Sequence, residues 1–422
     1  MRTRIHFTLT LILGLAFLAC SKPGAGSEPS KEATPEATAK KGNYGPGVTD
    51  TEIKIGQTMP YSGPASAYGT IGRVEAAYFK RLNEQGGING RKINLLSVDD
   101  SYSPPKAVEQ ARKLVEEDNV LALFQPLGTP SNTAIQKYLN QKGVPQLFVS
   151  SGATKWGDPK NFPWTIGFNP SYQVEAKTYG EYIRANLPKA KIAVLYQNDD
   201  FGKDYLIGLR AGLGDKASAI LKEVSYETTD ATVDSQMATL QATKADTFIN
   251  VATPKFAAMA IRKAFDSGWK PKQFLTNVSV SVGSVLTPAG LDKSIGITSI
   301  LYLKDVTDKQ YENDPAVQEF AEFMKKWYPD GKFIDGSNTY GYVAAQTLEQ
   351  VLRQCGDDLT RENIMKQAAS LKDFTSGMML PGVTASTSAT DFFLFEKVQL
   401  AKFNGTNWVA IPSDSPAANA KL

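Results

Sequence analysis

Strand-like and helix-like segments alternate from residue 51 to about residue 267, in two successive runs. No other feature of the sequence constrains the fold as strongly. A strand–helix–strand unit closes through a right-handed crossover, which sets the strands parallel. In the first run, Glu52-Ile-Lys-Ile-Gly-Gln-Thr alternates polar and apolar residues as a strand does. Ile71, Val74, Tyr78 and Leu82 then recur at helical spacing, and Gly86-Gly87 stops that helix. Strands are expected over 93–98, 120–124 and 146–149. Helices are expected after Pro104-Pro105 and over about 130–141. The second run predicts helices over 171–187, after Phe201-Gly202, over 234–243 and over 254–267. Its strands fall at 191–196, 220–226 and 247–251. Three short strands are expected near the end, at 391–396, 400–403 and 408–411, with an Asn404-Gly405 turn between the last two. The expected fold class is α/β, with two doubly wound parallel-sheet lobes.

The start of the chain reads differently. Arg2 and Arg4 precede an apolar run over 7–19, shorter than the roughly 20 residues that span a bilayer. This is the charge and length of a signal-peptide core. Cys20 follows directly, in Phe17-Leu18-Ala19-Cys20, an ending that resembles the bacterial lipoprotein signal. Residues 1–19 are therefore expected as a signal peptide and Cys20 as a lipidated residue. The alternative is an ordinary secretory signal with an incidental cysteine. Residues 20–50, rich in Pro, Ala, Ser, Glu and Lys, are expected as a flexible tether, and 413–422 as a tail.

Composition excludes several function classes. The 46 basic and 43 acidic residues leave a net charge of +3, which is not the footprint of a nucleic-acid binder. The one histidine is His6, inside the expected signal peptide. Ser-His-Asp and Cys-His catalysis and His-based zinc sites then have no imidazole to use. Two cysteines cannot form a Cys-rich metal cluster, so no metal and no cofactor is expected. Gly-x-Ser-x-Gly, a Walker loop and a post-strand Gly-x-Gly-x-x-Gly are absent. The pairs Asp99-Asp100 and Asp199-Asp200 read as loop-capping or surface acids, because neighbours on a strand end point apart. Cys355, late in a helical pattern, reads as a buried inert thiol.

Ligands of open parallel sheets sit beyond the carboxyl ends of the strands. The first-lobe loops there carry Ser62, Tyr68, Thr129, Ser131 and Ser150 to Thr154, with Trp156; the second-lobe loops carry Tyr172, Asp199, Asp200, Phe201, Thr253, Lys255 and Asn277. Hydroxyls and free amides at helix starts suit a carboxylate, and aromatics wall an apolar body. Taken singly, each hydroxyl reads as a helix cap; the clustering of several on successive loops is what points to a site.

Three segments carry a resemblance. Pro60-Tyr-Ser-Gly-Pro-Ala-Ser-Ala-Tyr-Gly69, Asp99-Asp100 with Pro105-Lys106-Ala107, and Ser150-Ser-Gly-Ala-Thr154 resemble the leucine/isoleucine/valine-binding proteins, type I periplasmic solute-binding proteins of ABC importers. The resemblance implies two lobes joined by three hinge crossings, with the ligand in the cleft. Lobe 1 would take 51–169 and 300–383, and lobe 2 would take 170–299 and 384–412. It implies that Thr129, Gly152, Ala153 and Thr154 hold a ligand carboxylate and that Tyr68 packs on the ligand. Trp156, Phe201 and Asn277 complete the expected site. Phe201 falls where amino-acid binders usually carry tyrosine. Their acid for the ligand ammonium has no counterpart in Leu275-Thr-Asn-Val-Ser-Val-Ser281. The family's first-lobe disulfide is also missing. The implied protein is not an enzyme. It is a monomer anchored by lipid to a bacterial membrane, outside the cytoplasm, and it delivers a small carboxylate with an aromatic or branched body to ABC permease subunits. Branched-chain amino acids or amides are the alternative ligands. A ligand-sensing receptor module and a carboxylate hydrolase are the competing classes.

Overall fold

A computed structural model describes residues 42–412. The expected signal peptide, Cys20, most of the expected tether and the tail 413–422 lie outside the described residues.

The first lobe opens with β1 (Asn43–Tyr44), β2 (Glu52–Met59), α1 (Gly69–Glu84), β3 (Lys92–Asp99) and α2 (Pro104–Arg112). It continues with β4 (Leu123–Phe124), α3 (Thr129–Lys142), β5 (Gln146–Val149) and β6 (Thr165–Gly167). The chain then builds α4 (Tyr172–Asn186), β7 (Ile192–Gln197), α5 (Asp200–Leu213), β8 (Ile220–Tyr226) and α6 (Asp234–Ala242). β9 (Thr247–Val251), α7 (Pro254–Asp266), β10 (Lys272–Leu275), the single turn α8 (Thr287–Ala289) and β11 (Thr298–Leu301) follow. It returns to the first lobe for α9 (Pro315–Trp327), α10 (Gly336–Cys355), β12 (Asp358–Leu359) and α11 (Arg361–Ala368). It ends in the second lobe with β13 (Gln399–Phe403) and β14 (Trp408–Ala410).

Lobe 1 is a five-stranded parallel sheet in the order β3-β2-β4-β5-β6. Lobe 2 repeats that order as β8-β7-β9-β10-β11, then adds β13 and β14 antiparallel at the β11 edge. Helices cover both faces of each sheet, as the alternation predicts. Ile71, Val74, Tyr78 and Leu82 of α1 share one core with Val343 and Leu348 of α10. Ala107 and Ala111 of α2 and Ile135 and Leu139 of α3 fill the opposite face. In lobe 2, α4 and α5 contribute Tyr179, Ile183, Leu209 and Leu213, while Met237, Leu240, Phe256 and Ile261 pack beneath α6 and α7.

α4 and α5 approach unusually closely, and glycine makes this possible. A Cβ on Gly208 would meet the Gln173 carbonyl, and one on Gly212 would meet the Lys177 carbonyl, at less than any real contact distance. This contact fixes the two helices that later bring Tyr172 and Phe201 together.

Several expected boundaries shift. The end of the expected tether belongs to lobe 1: β1 pairs in parallel with β12, and the Asn43 N–H donates to the Asp357 carbonyl at 2.9 Å. The cut expected between 299 and 300 falls inside β11, so lobe 2 runs to Leu301. Residues 384–395 do not join lobe 2. Ala385, Phe392, Leu394 and Phe395 are buried in the lobe 1 core, and the third crossing follows them. The strand expected at 391–396 does not form, because its apolar side chains are buried without a ladder partner beyond one isolated bridge, Ser388 to Asp391. Cys355 is buried and its thiol is pushed up to about 12 by desolvation, as an inert thiol would be. No helix among the described residues is long and apolar enough to cross a membrane.

Candidate functional site

Each sheet has a switch point where strand order reverses, between β2 and β4 in lobe 1 and between β7 and β9 in lobe 2. The loops leaving these strands face each other across the cleft and enclose a cavity of about 120 Å³. This is where an open α/β sheet binds ligands. Lobe 1 supplies Tyr68, Tyr102, Thr129, Ser150 and Tyr340, and lobe 2 supplies Tyr172, Phe201, Thr253 and Asn277. The second crossing passes along the wall as Ile300 to Asp305, and Trp408 of β14 closes one side.

Helix starts dominate this wall. Tyr68 immediately precedes α1, Thr129 and Tyr172 open α3 and α4, and Thr253 precedes α7. None of these four ends has a side-chain cap. Asp199 caps α5, accepting from the Phe201 N–H at 3.0 Å, and Asp335 caps α10. The capping role read for Asp199 is thus what the structure shows. These helix ends place partial positive charge around the cavity, although the Gly69 N–H already donates to the Ser66 carbonyl and the Tyr172 N–H to the Gly152 carbonyl at 2.7 Å.

Much of the remaining wall is apolar, with aromatic rings prominent in it. The ring centroids of Tyr172 and Phe201 lie 4.8 Å apart, and Tyr205 stands edge-on to Phe201 at 5.5 Å. Burial pushes the phenols of Tyr68, Tyr102 and Tyr172 above their ordinary value, so they act as neutral hydrogen-bonding groups.

The lobes also touch directly. The Tyr68 hydroxyl donates to the Val278 carbonyl at 3.0 Å. Ser281 and Ser284 of lobe 2 donate to Asp335 Oδ1 of lobe 1 at 2.7 and 3.0 Å. Lys155 pairs with Asp200 at 3.2 Å.

Of the eight expected ligand residues, Tyr68, Thr129, Phe201 and Asn277 line the cavity. Gly152, Ala153, Thr154 and Trp156 do not. The reason is Tyr172: its ring lies over Gly152, where a Cβ would strike both the ring and the Pro170 carbonyl. The loop behind it is occupied with structural bonds. Thr154 Oγ1 meets Ser171 Oγ at 2.9 Å, and the Thr154 N–H donates to Asp204 at 2.7 Å. Ala153 is buried, and the Trp156 indole N–H donates to Ser151 Oγ at 2.9 Å. The expected cradle is instead a cross-lobe fastening.

Sequence reasoning missed Tyr340, Trp408 and, most of all, Glu175. The loop after β10 carries no acid, but Glu175 of α4 lies directly against it. Its Oε1 accepts the Asn277 backbone N–H at 2.7 Å, and its Oε2 accepts Asn277 Nδ2. The signal was present: Tyr172, Glu175 and Tyr179 fall on one helical face, so an acid sits in a row of buried positions.

Relatives with known names fit this geometry. A family model described as periplasmic binding protein matches residues 52–407. The Leu/Ile/Val-binding protein homolog 7 of Brucella suis biovar 1 (strain 1330) is 24% identical over 360 residues, covering 80% of this chain and 86% of that protein. A branched chain amino acid ABC transporter structure from Thermus thermophilus, with bound valine, superposes with a TM-score of 0.77 at 16% identity, covering 86% of this chain and 96% of that one. An R. palustris ABC transporter solute-binding protein in complex with benzoate gives 0.72 at 20% identity, covering 87% and 97%. The chain belongs to the periplasmic binding protein family and is similar to Leu/Ile/Val-binding members.

Proposed function

We propose that this protein is the extracytoplasmic substrate-binding subunit of a branched-chain-amino-acid-type ABC transporter, capturing a small carboxylate with an aromatic or branched body. The observation that carries this reading is the convergence of uncapped helix N-termini on an aromatic cavity between two lobes. Those ends suit an anion. The volume is somewhat below the roughly 150 Å³ of a dry cavity that admits benzene, which suits a ligand no larger than one ring or one short branched chain. The benzoate of one structural neighbour is a ligand of that kind, while the valine of the other belongs to the amino-acid alternative. Contacts from both lobes favour the closed arrangement, which a permease can then recognise. Both walls come from one chain, which supports a monomer. A second reading, an amino acid or amide ligand, is favoured by Glu175 behind Asn277.

Calorimetry with benzoate, 4-methylpentanoate, 3-phenylpropanoate, leucine and phenylalanine tests the ligand class. At pH 6 at least one simple carboxylate should bind with about micromolar affinity, and about tenfold tighter than its amino counterpart, a gap of about 1.4 kcal/mol. Tight leucine binding without binding of 4-methylpentanoate would restore the amino-acid reading.

The proposal includes lipid anchoring at Cys20, supported by its place at the end of the apolar run. Acyl chains contribute about 0.8 kcal/mol per buried CH₂, so two or more make a durable anchor. Cys20→Ala should move the protein from the detergent phase to the aqueous phase, or leave it unprocessed. Identical partitioning and processing of both forms would count against the anchor.

A further inference from the structure

Glu175 has no exposed surface and lies one helical turn beyond Tyr172, which lines the cavity. Its Oε1 takes two donors, the Tyr179 hydroxyl at 2.5 Å and the Asn277 backbone N–H at 2.7 Å. Its Oε2 takes Asn277 Nδ2. Asn277 lines the cavity, and its Oδ1 has no hydrogen-bond partner among the described residues. One end of this amide is thus held by the acid, and the other is left for whatever fills the cavity.

We propose that Glu175 sets the polarity of the second-lobe wall. Ionised, it holds Asn277 with Oδ1 towards the ligand; protonated, it turns the amide so that Nδ2 faces the ligand. Its bearing on ligand choice rests on the solute-binding reading above, whereas the geometry does not.

The hydrogen-bond accounting requires the reversal. A carboxylate is acceptor-only, and a protonated carboxyl has one donor. A proton on Oε2 would face the N–H of Nδ2, leaving two donors opposed. Rotation of the amide places Oδ1 against that proton and satisfies both groups. The backbone N–H of Asn277 keeps Oε1 in either state. The Tyr179 hydroxyl has a second acceptor ready, the Leu275 carbonyl at 2.8 Å. Neither state therefore strands the Tyr179 hydroxyl or the Asn277 backbone N–H.

The two states suit different ligands. With Glu175 ionised, the cavity wall offers an acceptor with a negative charge directly behind it, which favours an ammonium or amide N–H. With Glu175 protonated, it offers a neutral donor, which favours a carboxylate or carbonyl oxygen. The groups facing Glu175 leave the proton to it. Tyr172 and Tyr179 of α4, Tyr205 of α5 and Tyr302 beyond β11 are phenols pushed up by burial, and Thr276, Asn277 and Ser299 carry no charge. The largest influences on it are burial and hydrogen bonds from Tyr179, Tyr205 and Asn277. Burial pushes the Glu175 carboxyl up to about 7, so both states are populated near neutrality.

The test needs no known ligand. In the full chain labelled with ¹⁵N-asparagine, the side-chain amide peaks of Asn277, assigned by their loss in Asn277→Ala, should move between pH 5.5 and 8.0 with a midpoint near 7. They should be fixed in Glu175→Gln, whose amide mimics the protonated acid. Peaks that stay still in the wild-type protein overturn the proposal, including the case in which the proton goes to the Tyr179 side. The wild-type titration decides even if the variant does not fold. Calorimetry on leucine with 4-methylpentanoate, and phenylalanine with 3-phenylpropanoate, reads the consequence. Preference for the amino acid should rise at least tenfold from pH 5.5 to 8.0, and only when Glu175 is present. Moving peaks with no binding by any of these four compounds would sink the ligand class and leave the switch standing. Binding with still peaks would do the reverse.

Discussion

Trp408→Ala should destabilise the protein by about 3–5 kcal/mol, the usual range for truncating a buried tryptophan. The side chain is 2% exposed, and its ring lies 5.6 Å from Phe403. Its indole N–H donates to the Val280 carbonyl at 3.0 Å, and its backbone N–H donates to Asp305 at 3.1 Å. One residue therefore ties the β14 strand to the binding loop and to the second crossing. Trp408→Phe keeps a ring but strands the Val280 carbonyl, so it should cost less, about 1–3 kcal/mol. Ligand affinity should fall in the alanine variant, where the cavity loses a wall, and less in the phenylalanine variant. Urea denaturation and calorimetry on the pair check this. A loss under 1 kcal/mol for the alanine variant, with affinity intact, would remove Trp408 from the site.

Gly208→Ala should destabilise, although helix propensity alone favours alanine by about 1 kcal/mol. The added Cβ strikes the Gln173 carbonyl, which is backbone and cannot swing aside. Overpacking of this kind costs typically 1–3 kcal/mol and more when backbone must move, so the net loss should be about 2 kcal/mol. Gly208→Leu should lose more. Thermal unfolding of the three proteins gives the order directly. A stabilised alanine variant would show that α4 and α5 do not depend on this close approach. The contact matters for binding because α4 carries Tyr172 and Glu175 while α5 carries Phe201.

These cases also mark what the sequence could reveal. Elements with a clean local period were legible: β5 is found over the residues expected, and α1 and α3 differ by two residues or fewer at each end. The run Phe392-Phe-Leu-Phe395 was misread because continuous apolar residues signal burial without saying whether a strand partner exists. The site was half legible for a related reason. Tyr68, Thr129, Phe201 and Asn277 sit at strand ends or helix starts, and topology alone sends those to the cleft. Gly152 and Thr154 sit on an equally suitable loop, but the ring of Tyr172 covers it, and no pattern within that loop records this. Glu175 was hidden because the search for a counter-charge stayed within one loop. The acid reaches that loop from a helix about a hundred residues earlier in the chain, a separation that local periods do not record.

The placing of β13 and β14 has a consequence for the timing of folding. β13 pairs with β11 across about a hundred residues of lobe 1, and β14 pairs only with β13. A chain emerging in order makes the whole of lobe 1 before the second sheet can gain its outer strands. Until then β11 presents a bare edge, and the cavity lacks Trp408. Contacts of such long separation form late and slowly, because loop closure precedes any gain from pairing. The molecule thus stays incompletely folded until its final strands are delivered. A protein bound for the far side of a membrane gains from that delay, since it must cross before it hardens.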